Sequence, residues 1–419
     1  MMDSPNTDFK RVAFDASRRG TLNGVRVVDL SRLVAGNMLT LQLADFGADV
    51  IKVESAREGD TLRQWTLSEP DGGDGFDGWW QVYGRNKRSL ALNLRSTQAI
   101  ELLLQLCGTA DVLIESFRPG TLESMGLGPE VLLRRNPGLI VVRLSGWGQT
   151  GPYKDLPGFG SLIEGFSGYA LKGGNGRESP PELPGIALAD MIAGLSGAFA
   201  VMTALREVEV NQGRGQVIDL SLLEPMLSIM GPDVTSYART GKKPARGVKI
   251  ASPRGVYRCR DRQWVAMSGS TDSMARKVFA AIGQAGLYEQ DRYRTNAARL
   301  EHDQEIDAMI QAFIGTLELK ECLAHFRQHG VTVGPVYDAQ DIYEDEHVRG
   351  RGVYVAAATA GHPDGVLMHD VAPRLSGTPG SLRFPAPRHA QHTTDILEEL
   401  GLTADRIREL HEQGHVKCR

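Results

Sequence analysis

The chain has 419 residues, of which 41% are apolar and 23% carry a charge. A chain of this length exceeds the usual size of one hydrophobic core, so two or three domains are expected. The apolar share is typical of a globular protein and argues against extended disorder. The formal net charge of −4 argues against a general nucleic-acid binder, because such proteins carry a basic surplus. No nucleic-acid partner is therefore expected.

The cysteines and the N-terminal residues indicate in which cellular compartment the protein is located. The four cysteines are widely spaced and form no Cys-x-x-Cys pair, so neither a zinc knuckle nor a disulfide framework is indicated. The first 20 residues are polar and contain no apolar segment of the kind that a signal peptide needs. We expect this stretch to be a loose arm and the protein to be cytoplasmic.

One apolar run is as long as a membrane span. Residues 185–205 contain a single charged residue, Asp190, and about 20 apolar residues are enough to cross a bilayer. The run is rich in glycine and alanine, and burying the Asp190 carboxylate in lipid would be costly. We therefore expect a buried helix of a globular domain, and no membrane partner.

Two sequence periods alternate along the first 150 residues. Five short apolar segments have the length and composition of buried strands, and helical spacing occurs between them. Strands that alternate with helices predict a parallel, doubly wound α/β sheet. The predicted strands are 24–30, 48–54, 88–94, 111–116 and 139–145, and the predicted helices between them are 39–45 and 97–107. A long apolar helix at 190–206 is predicted to follow.

The composition changes near residue 238. The segment RTGKKPARG at 239–247 is basic and interrupted by glycine and proline, which is typical of a linker or an exposed loop. Beyond it we predict a hairpin that turns at Asp261–Arg262 and helices at 272–282, 304–316 and 318–329. A strand at 330–337 and a final pair of helices follow.

A glycine pattern follows the strand at 139–145. Gly146, Gly148 and Gly151 match G-x-G-x-x-G, which indicates dinucleotide binding only where a helix opens at the third glycine. Pro152 follows at once and Pro157 soon after, so a regular helix is not expected. We interpret the segment as a turn-rich loop at the carboxyl end of a strand, which is where open α/β sheets bind ligands.

Basic residues are concentrated in the first half of the chain, several of them just after predicted strands. Any one of them could be a solvated surface residue. Together they suit a phosphate-bearing ligand, because arginine binds phosphate through two parallel hydrogen bonds. The candidates are Lys52, Arg57, Arg85, Lys87, Arg88, Arg95, Arg118 and Lys154.

The histidines all lie in the last third of the chain, from His302 onward. Chemistry centred on the predicted sheet must therefore use carboxylates, lysine, tyrosine, serine or backbone amides. His389 and His392 have the i, i+3 spacing of a metal-binding pair on a helix, but no acid or cysteine accompanies them in sequence. We interpret them as a surface pair and expect no metal site.

Asp190 is the central candidate for chemistry. It is the only charged residue in its apolar run and lies where a helix should begin. Aspartate is a favoured N-cap residue, so a purely structural role is one interpretation. A helix N-terminus would also keep the carboxylate ionised, and an ionised carboxylate attacks activated acyl groups. The two roles are compatible, and the residues alone leave both open.

Several ordered segments resemble the class III CoA-transferases, the CaiB/BaiF family that includes formyl-CoA and carnitine CoA-transferases. The resemblance extends from about Leu22 to Val416. The segments are LNGVRVVDLSRLVAG (22–36), LADFGADVIKVE (43–54), NKRSLALNL (86–94), ADVLIESFRPG (110–120), SGWGQTGPY (145–153), ALADMIAGLSGAFAVMTAL (187–205), RLSGTPG (374–380) and PRHAQHTTDILEELG (387–401).

The resemblance implies an α/β fold with two domains. A large Rossmann-like domain would be built from both chain ends, 20–225 and 332–419, and a smaller middle α/β domain with its linkers would occupy 226–331. The resemblance also implies an interlocked-ring dimer, in which two subunits are threaded through each other. The partner would be an identical or a similar subunit, giving a homodimer or a heteromer.

The resemblance also implies the chemistry. Asp190 would be the covalent nucleophile, which accepts an acyl group from an acyl-CoA and then carries CoA as an aspartyl-CoA thioester until a second carboxylic acid takes it. CoA is then part of the substrate, and no cofactor is bound permanently. A thiolate leaves without protonation, because a thiol pKa is only about 8.5, so no histidine acid is required. The implied CoA contacts are Leu33, Val34, Arg57, Leu92, Arg95, Ser116, Phe117, Arg118 and Lys154.

The chain departs from the family pattern at four positions. Ser55 and Ser124 stand where the family has arginine, although Arg57 is two residues from the first. Asn37 stands where proline is usual, and Ala390 where glycine is usual. These departures concern the phosphate contacts more than the nucleophile.

Two further interpretations remain. The α-methylacyl-CoA racemases resemble this chain but pair the aspartate with a histidine in a G-H-D motif. Gly158, Phe159 and Gly160 replace that motif here, which removes the second base. A non-catalytic partner subunit of a heteromeric CoA-transferase is the other interpretation, although the chain keeps Asp190. The acids exchanged are not encoded in a readable motif, and succinyl-CoA is a donor by analogy only.

Overall fold

The computed structural model describes residues 9–66, 76–173, 179–243, 249–359 and 361–419. Contacts among them define two compact units. The first comprises the described residues of Met1–Ala170, Glu182–Asp233 and Arg349–Arg419, and the second those of Leu171–Pro181 and Val234–Val348. The domain limits inferred from the sequence stay a prediction. Residues 244–247 of the expected linker lie outside the described residues.

The first unit is built around a seven-stranded sheet. Its order is β13-β4-β3-β2-β5-β6-β7, and every pairing is parallel except that of β13 with β4. The predicted α/β class with a parallel sheet is confirmed. The strands of the described residues are β1 Arg11–Val12, β2 Arg26–Asp29, β3 Asp49–Ser55, β4 Lys87–Leu92, β5 Val112–Glu115, β6 Ile140–Ser145, β7 Val217–Ser221, β8 Arg254–Arg258, β9 Trp264–Ser268, β10 Thr332–Pro335, β11 Tyr354–Thr359, β12 His362–His369 and β13 Val416–Lys417.

The position of β2 in the sheet determines where a ligand can bind. β3 and β4 lie on one side of β2, and β5, β6 and β7 lie on the other. The chain order therefore reverses between β2 and β5. In open α/β sheets the crevice at such a switch point, outside the carboxyl ends of the strands, is the usual ligand site.

The five strands predicted from the sequence are all present, as β2 to β6. Successive residues of each strand point to opposite faces, and both faces are covered. Val27 belongs to one hydrophobic core and Val28 to the other, and Val142 and Val141 repeat the alternation in β6. Strands buried on both faces have continuous apolar sequences, which is why the pattern identified them.

Helices cover both faces of the sheet. Helix α3 has the predicted bounds, and its N-cap Ser96 accepts a hydrogen bond from the Ala99 amide. The helices of the described residues are α1 Ala35–Asp45, α2 Gly78–Tyr83, α3 Thr97–Cys107, α4 Thr121–Ser124, α5 Pro129–Arg135, α6 Gly160–Phe166, α7 Tyr169–Lys172, α8 Leu188–Asn211, α9 Leu223–Ser228, α10 Asp233–Thr240, α11 Asp272–Ala281, α12 Asp291–Arg294, α13 Asn296–Glu301, α14 Asp303–Ile314, α15 Leu319–Gln328, α16 Ala339–Glu344, α17 Glu346–Arg351, α18 Thr393–Glu399 and α19 Ala404–Glu412.

Helix α8 is the one described helix that is long and apolar enough to cross a membrane. One of its faces packs into the core of the first unit. A Cβ added to Gly194 would lie 2.7 Å from the Met38 side chain, and one added to Gly197 would lie 2.5 Å from Leu39. These glycines allow α8 to approach α1 closely, and this contact buries that side of the apolar run. On the other side, Phe199 is 75% exposed.

The second unit contains a three-stranded antiparallel sheet, in the order β10-β9-β8. The predicted hairpin is present, and Arg262 in its turn has φ 71°. Helices α11, α14 and α15 supply a separate hydrophobic core that includes Phe279, Ile310 and Phe326. The predicted strand at 330–337 is β10.

The first and the last described strands are both paired within sheets of the first unit. β1 pairs in parallel with β11, so the expectation of a loose N-terminal arm is wrong for residues 11 and 12. At the other end, β13 pairs with the last residues of β4, with Lys417 opposite Ala91. This pairing brings the C-terminal residues to the carboxyl edge of the parallel strands.

Candidate active site

Two cavities open along the carboxyl edge of the seven-stranded sheet. The larger has a volume of about 970 Å³ and lies over the ends of β2, β3 and β4. We call it the large cavity. Ser31, Ser55 and Asn93, which lie at or just after these strand ends, line it together with Lys417 of β13.

The second cavity has a volume of about 420 Å³ and lies over the ends of β5 and β6. Asp190 is part of its lining, so we call it the Asp190 cavity. Arg32 and Phe117 line both cavities, which therefore adjoin. A ligand that fills both would extend along the sheet edge from the end of β4 to the Asp190 carboxylate.

Asp190 is the third residue of α8, which begins at Leu188 after the N-cap residue Ala187. The predicted N-cap role of Asp190 is therefore wrong. Glu164 explains the earlier start of the helix, because its Oε1 accepts a hydrogen bond from the Ala189 amide at 3.1 Å. This bond satisfies one of the amides that a helix N-terminus leaves free. Asp190 is left in the first turn, half-buried, at the wall of the cavity.

Burial and a second carboxylate determine the charge state of Asp190. Desolvation, and then the negative charge of Glu164, raise the pKa of Asp190 to about 6, while its own amide and that of Ala35 oppose the rise through hydrogen bonds. The sequence alone indicated only the amides of the helix N-terminus, which stabilise the charged form. A carboxyl group with this pKa is still about 90% ionised at pH 7. Asp190 is therefore a carboxylate at neutral pH, and a more basic one than an exposed aspartate.

Gly160 lies directly against the Asp190 carboxylate. A Cβ at residue 160 would be 2.2 Å from Asp190 Oδ2, a separation that real contacts essentially never show. Glycine is therefore the residue that leaves the carboxylate room. Phe159, the N-cap of α6, is exposed at the same cavity. None of the described residues that line the Asp190 cavity is a histidine.

Glu164 is a site residue that the sequence argument missed. It is 2% exposed, and no ion pair involving it is formed among the described residues. The signal that singled out Asp190 was a lone charge in an apolar segment. The same signal was available for Glu164, the only charged residue between Asp155 and Lys172.

The first loop, residues 31–34, follows β2 and is held by a buried polar network. Leu33 has φ 62°, a strained conformation for a residue with a side chain. Its backbone amide donates to Asp60 Oδ1 at 3.1 Å, and its carbonyl accepts from the side-chain Nδ2 of Asn37 at 2.6 Å. Lys52 lies 3.0 Å from Asp60, and Lys87 donates to Asn37 Oδ1 at 2.9 Å. The network fixes the backbone that leads into the Ala35 amide.

Four of the eight basic residues proposed to bind phosphate are bound to other protein groups instead. Arg85 pairs with Asp45 at 2.6 Å, and Arg88 pairs with Asp49 at 2.7 Å. The other two belong to the network beneath the first loop. Three of the four are fully buried, so none of those three can reach a ligand in a cavity. The four residues are Lys52, Arg85, Lys87 and Arg88.

The other four basic candidates are exposed and line the cavities. Arg57 and Arg95 lie in the large cavity, and Arg118 and Lys154 lie in the Asp190 cavity. Two further exposed cations were not among the candidates predicted from the sequence. Arg32 lines both cavities, and Lys417 reaches the large cavity only because β13 pairs with β4.

The uncharged residues that the resemblance assigned to CoA lie around the same two cavities. Leu92 lines the large cavity, Leu33 and Ser116 line the Asp190 cavity, and Phe117 lines both. The Ser116 hydroxyl also accepts a hydrogen bond from the Arg32 amide at 3.1 Å. Val34 differs, because its side chain is buried in a small core with Leu62 and Trp80.

His389 and His392 bind protein groups in the structure. His389 Nε2 lies 2.8 Å from the carbonyl of Ser55, and His392 Nδ1 accepts a hydrogen bond from the Ser89 amide at 3.1 Å. They precede α18 in a turn, so they do not share a helical face as their spacing suggested. Within the described ranges, no group of three or more histidine, cysteine or acidic side chains is arranged to hold a metal ion.

Comparison with known proteins identifies the family. The sequence model described as CoA-transferase family III matches residues 22–393. This chain belongs to CoA-transferase family III. The expected resemblance and the expectation of an enzyme of this class are thereby confirmed.

Individual relatives agree with the family. The chain is 36% identical to the succinyl-CoA–D-citramalate CoA-transferase of Chloroflexus aurantiacus, over 92% of this chain and 95% of that protein. It is 35% identical to the beta subunit of the succinyl-CoA–L-malate CoA-transferase of the same organism, over 94% and 97%. A CaiB/BaiF family protein from Brucella suis superposes with a TM-score of 0.78 at 29% identity, covering 91% of this chain and all of that one.

Proposed function

We propose that this family III CoA-transferase moves CoA from a dicarboxylic acyl-CoA, such as succinyl-CoA, to a second carboxylic acid through an aspartyl-CoA thioester on Asp190. One observation carries the proposal. An ionised, half-buried carboxylate lies at one end of two adjoining cavities, and exposed cations line both of them.

The reaction balances without an added acid or base. The Asp190 carboxylate oxygen attacks the thioester carbonyl, and the C–S bond breaks to give a mixed anhydride and a CoA thiolate. The thiolate attacks the aspartyl carbonyl, which releases the donor acid as a carboxylate and leaves the aspartyl-CoA thioester. The acceptor carboxylate then attacks this thioester, and the thiolate finally takes the acceptor acyl group and frees Asp190. Each leaving group departs as a stable anion, so no histidine is needed.

The two cavities suit the two parts of the substrate. The large cavity, with Arg57, Arg95 and Lys417, would hold the phosphates and the nucleotide of CoA. The Asp190 cavity would hold the acyl group and the acceptor. Its lining includes Trp147 and Phe159 as apolar surface and Arg32, Arg118 and Lys154 as cations. The excess of positive charge favours a dicarboxylate over a neutral acid, which agrees with the relatives named for succinate, citramalate and malate.

The finer structural expectations belong to the same proposal. The Rossmann-like layout is supported by the central position of β2 in the sheet. An interlocked dimer with an identical or a similar chain is supported by family membership and by the relative named as a beta subunit. The chain keeps Asp190, and Gly160 leaves space beside its carboxylate. Both features favour a catalytic chain over a non-catalytic partner subunit.

Chemical trapping tests the proposal. The protein is incubated with succinyl-CoA, treated with hydroxylamine, digested and mapped by mass spectrometry, with Asp190→Ala as the control variant. We expect a hydroxamate on Asp190, and we expect wild-type but not variant protein to form malyl-CoA or citramalyl-CoA when the free acid is added. Transfer by Asp190→Ala at the wild-type rate would refute the covalent route.

A further inference from the structure

Two carboxylates face the same small space at the start of α8. Asp190 Oδ2 lies 2.2 Å and Glu164 Oε1 lies 3.8 Å from the point that a Cβ of residue 160 would occupy. Glu164 is almost fully buried and is hydrogen-bonded to the amide of Ala189, the residue before Asp190. The arrangement keeps a second negative charge close to the nucleophile, where water screens it weakly.

We propose that Glu164 is a positioning residue that makes Asp190 more reactive through charge repulsion that acylation relieves. The inference rests on the proposed function, since it concerns the aspartyl intermediates. Free Asp190 carries a negative charge beside Glu164. The mixed anhydride and the aspartyl-CoA thioester at Asp190 are both neutral, so forming either one removes the repulsion. Glu164 thereby favours the covalent intermediates over the free carboxylate.

The hydrogen bond of Glu164 gives the residue a second effect. By accepting from the Ala189 amide, it fixes the first turn of α8 and thus the direction of the Asp190 side chain. Residues 160 and 164 are also one turn apart on α6 and therefore lie on the same face of that helix. Because Gly160 has no side chain, nothing at that position separates the Glu164 carboxylate from Asp190.

Other charged groups near α8 have partners or are exposed. Asp45 of α1 pairs with Arg85, Arg143 of β6 pairs with Glu115, and Asp219 of β7 accepts from the Gln149 amide. Glu224 of α9 is exposed, as are the three cavity cations Arg32, Arg118 and Lys154. Glu164 is thus the buried charge that acts most directly on the nucleophile.

Protonation and acylation neutralise the same charge, and this gives a quantitative test. The repulsion from Glu164 contributes to the raised pKa of Asp190. Because acylation removes the same repulsion, the repulsion must raise the acylation equilibrium constant by the factor that corresponds to this contribution. Both oxygens lie within 4 Å of the same point, so they are no more than about 6 Å apart. Two charges this close in a weakly screened site shift a pKa by roughly one unit or more. Removing the Glu164 charge should therefore reduce the acylation equilibrium constant by about tenfold for each unit by which the pKa falls.

The experiment compares Glu164→Gln with wild type and with Glu209→Gln. Glutamine keeps an oxygen that can accept from Ala189 but removes the charge. Glu209 is exposed near the other end of α8, about 28 Å along the helix from Asp190, so its charge is screened. Two quantities are measured for each protein: the pH dependence of kcat/KM for CoA transfer from succinyl-CoA, and the fraction of Asp190 trapped by hydroxylamine at pH 7.

We expect the acid limb of kcat/KM to move about one pH unit lower in Glu164→Gln, with the trapped fraction reduced several-fold, and neither to move in Glu209→Gln. An unchanged acid limb and an unchanged trapped fraction in Glu164→Gln would overturn the inference and leave the proposed function intact. An absence of trapped Asp190 in the wild type itself would instead refute the proposed function. A loss of activity with an unmoved acid limb would reduce Glu164 to a structural role.

Discussion

Charges are buried at two places beside the carboxyl edge of the sheet, and the two places differ in whether those charges are paired. Beneath the first loop, Lys52 lies between Asp29 and Asp60 and donates to the Ser31 carbonyl at 2.6 Å. At the start of α8, Asp190 and Glu164 are both acidic, and neither forms an ion pair with any residue that the structure describes.

The pKa values show what the difference means. Burial alone would raise the pKa of Asp60, but Lys52 and several hydrogen bonds hold it at about 2. Burial and Glu164 both raise the pKa of Asp190 to about 6. The first place uses charge to fix a backbone, whereas the second leaves a carboxylate more basic and available to react. The following predictions test that contrast, from the largest effect to the smallest.

The largest expected effect is on the paired charges. Lys52→Met leaves the carboxylates of Asp29 and Asp60 buried without their cation, which should lower the free energy of unfolding by about 3–5 kcal/mol. Urea unfolding followed by tryptophan fluorescence measures this, since four of the five tryptophans are in the first unit. The exposed Lys320→Met is the control, expected within about 0.5 kcal/mol of wild type. Equal free energies of unfolding for Lys52→Met and wild type would show that the network does not stabilise the fold.

The second prediction concerns the space around the unpaired carboxylate. Gly160→Ala places a Cβ 2.2 Å from Asp190 Oδ2, so the carboxylate must move, whereas a Cβ at Gly165 on the same helix meets nothing within 4 Å. Because misplacing a reacting group by about 1 Å costs about 100-fold in rate, kcat should fall about 100-fold in Gly160→Ala. Gly165→Ala should keep near-normal activity. Similar kcat values for the two variants would contradict the close contact.

The same contrast explains what the sequence could and could not predict. The strands were identified because residues such as Val27 and Val28 are buried on both faces of the sheet, which leaves a continuous apolar pattern. Asp190 was identified as a lone charge in an apolar run, and the family resemblance then gave it a role. Local patterns were sufficient in both cases.

The errors arose where distant residues decide the outcome. A lysine looks the same in sequence whether it binds phosphate from a loop, as proposed for Lys154, or pairs with a buried acid from within a strand, as Lys52 of β3 does. The start of α8 was misplaced because the hydrogen bond that fixes it comes from Glu164, 25 residues before Ala189. Lys417 was missed because its place depends on the pairing of β13 with β4. None of these contacts leaves a periodic signal.

The third prediction is the pH dependence of the unpaired carboxylate. The pKa of Asp190 is raised, and only the ionised form attacks a thioester, so activity should be lost as the pH falls through about 6. Below that point kcat/KM should decrease about tenfold per pH unit. An ordinary aspartate would keep its activity down to about pH 4. A value of kcat/KM that stays constant down to pH 4 would show either that the pKa of Asp190 is not raised or that its ionisation does not limit the rate.

The smallest effect is expected from Lys87, the one residue of the paired network that burial drives toward neutrality. Burial lowers the pKa of Lys87 to about 7, and the charge of Lys52 adds to the shift. The unfolded chain then binds more protons than the folded one between pH 7 and about 10.5, so stability should rise with pH across that window by about 1 kcal/mol per pH unit. Lys87→Met should remove this rise. Urea unfolding at pH 7, 8 and 9 measures how the free energy of unfolding changes with pH in wild type and in Lys87→Met. Equal slopes for the two proteins would mean that Lys87 remains charged through its hydrogen bonds to Asn37.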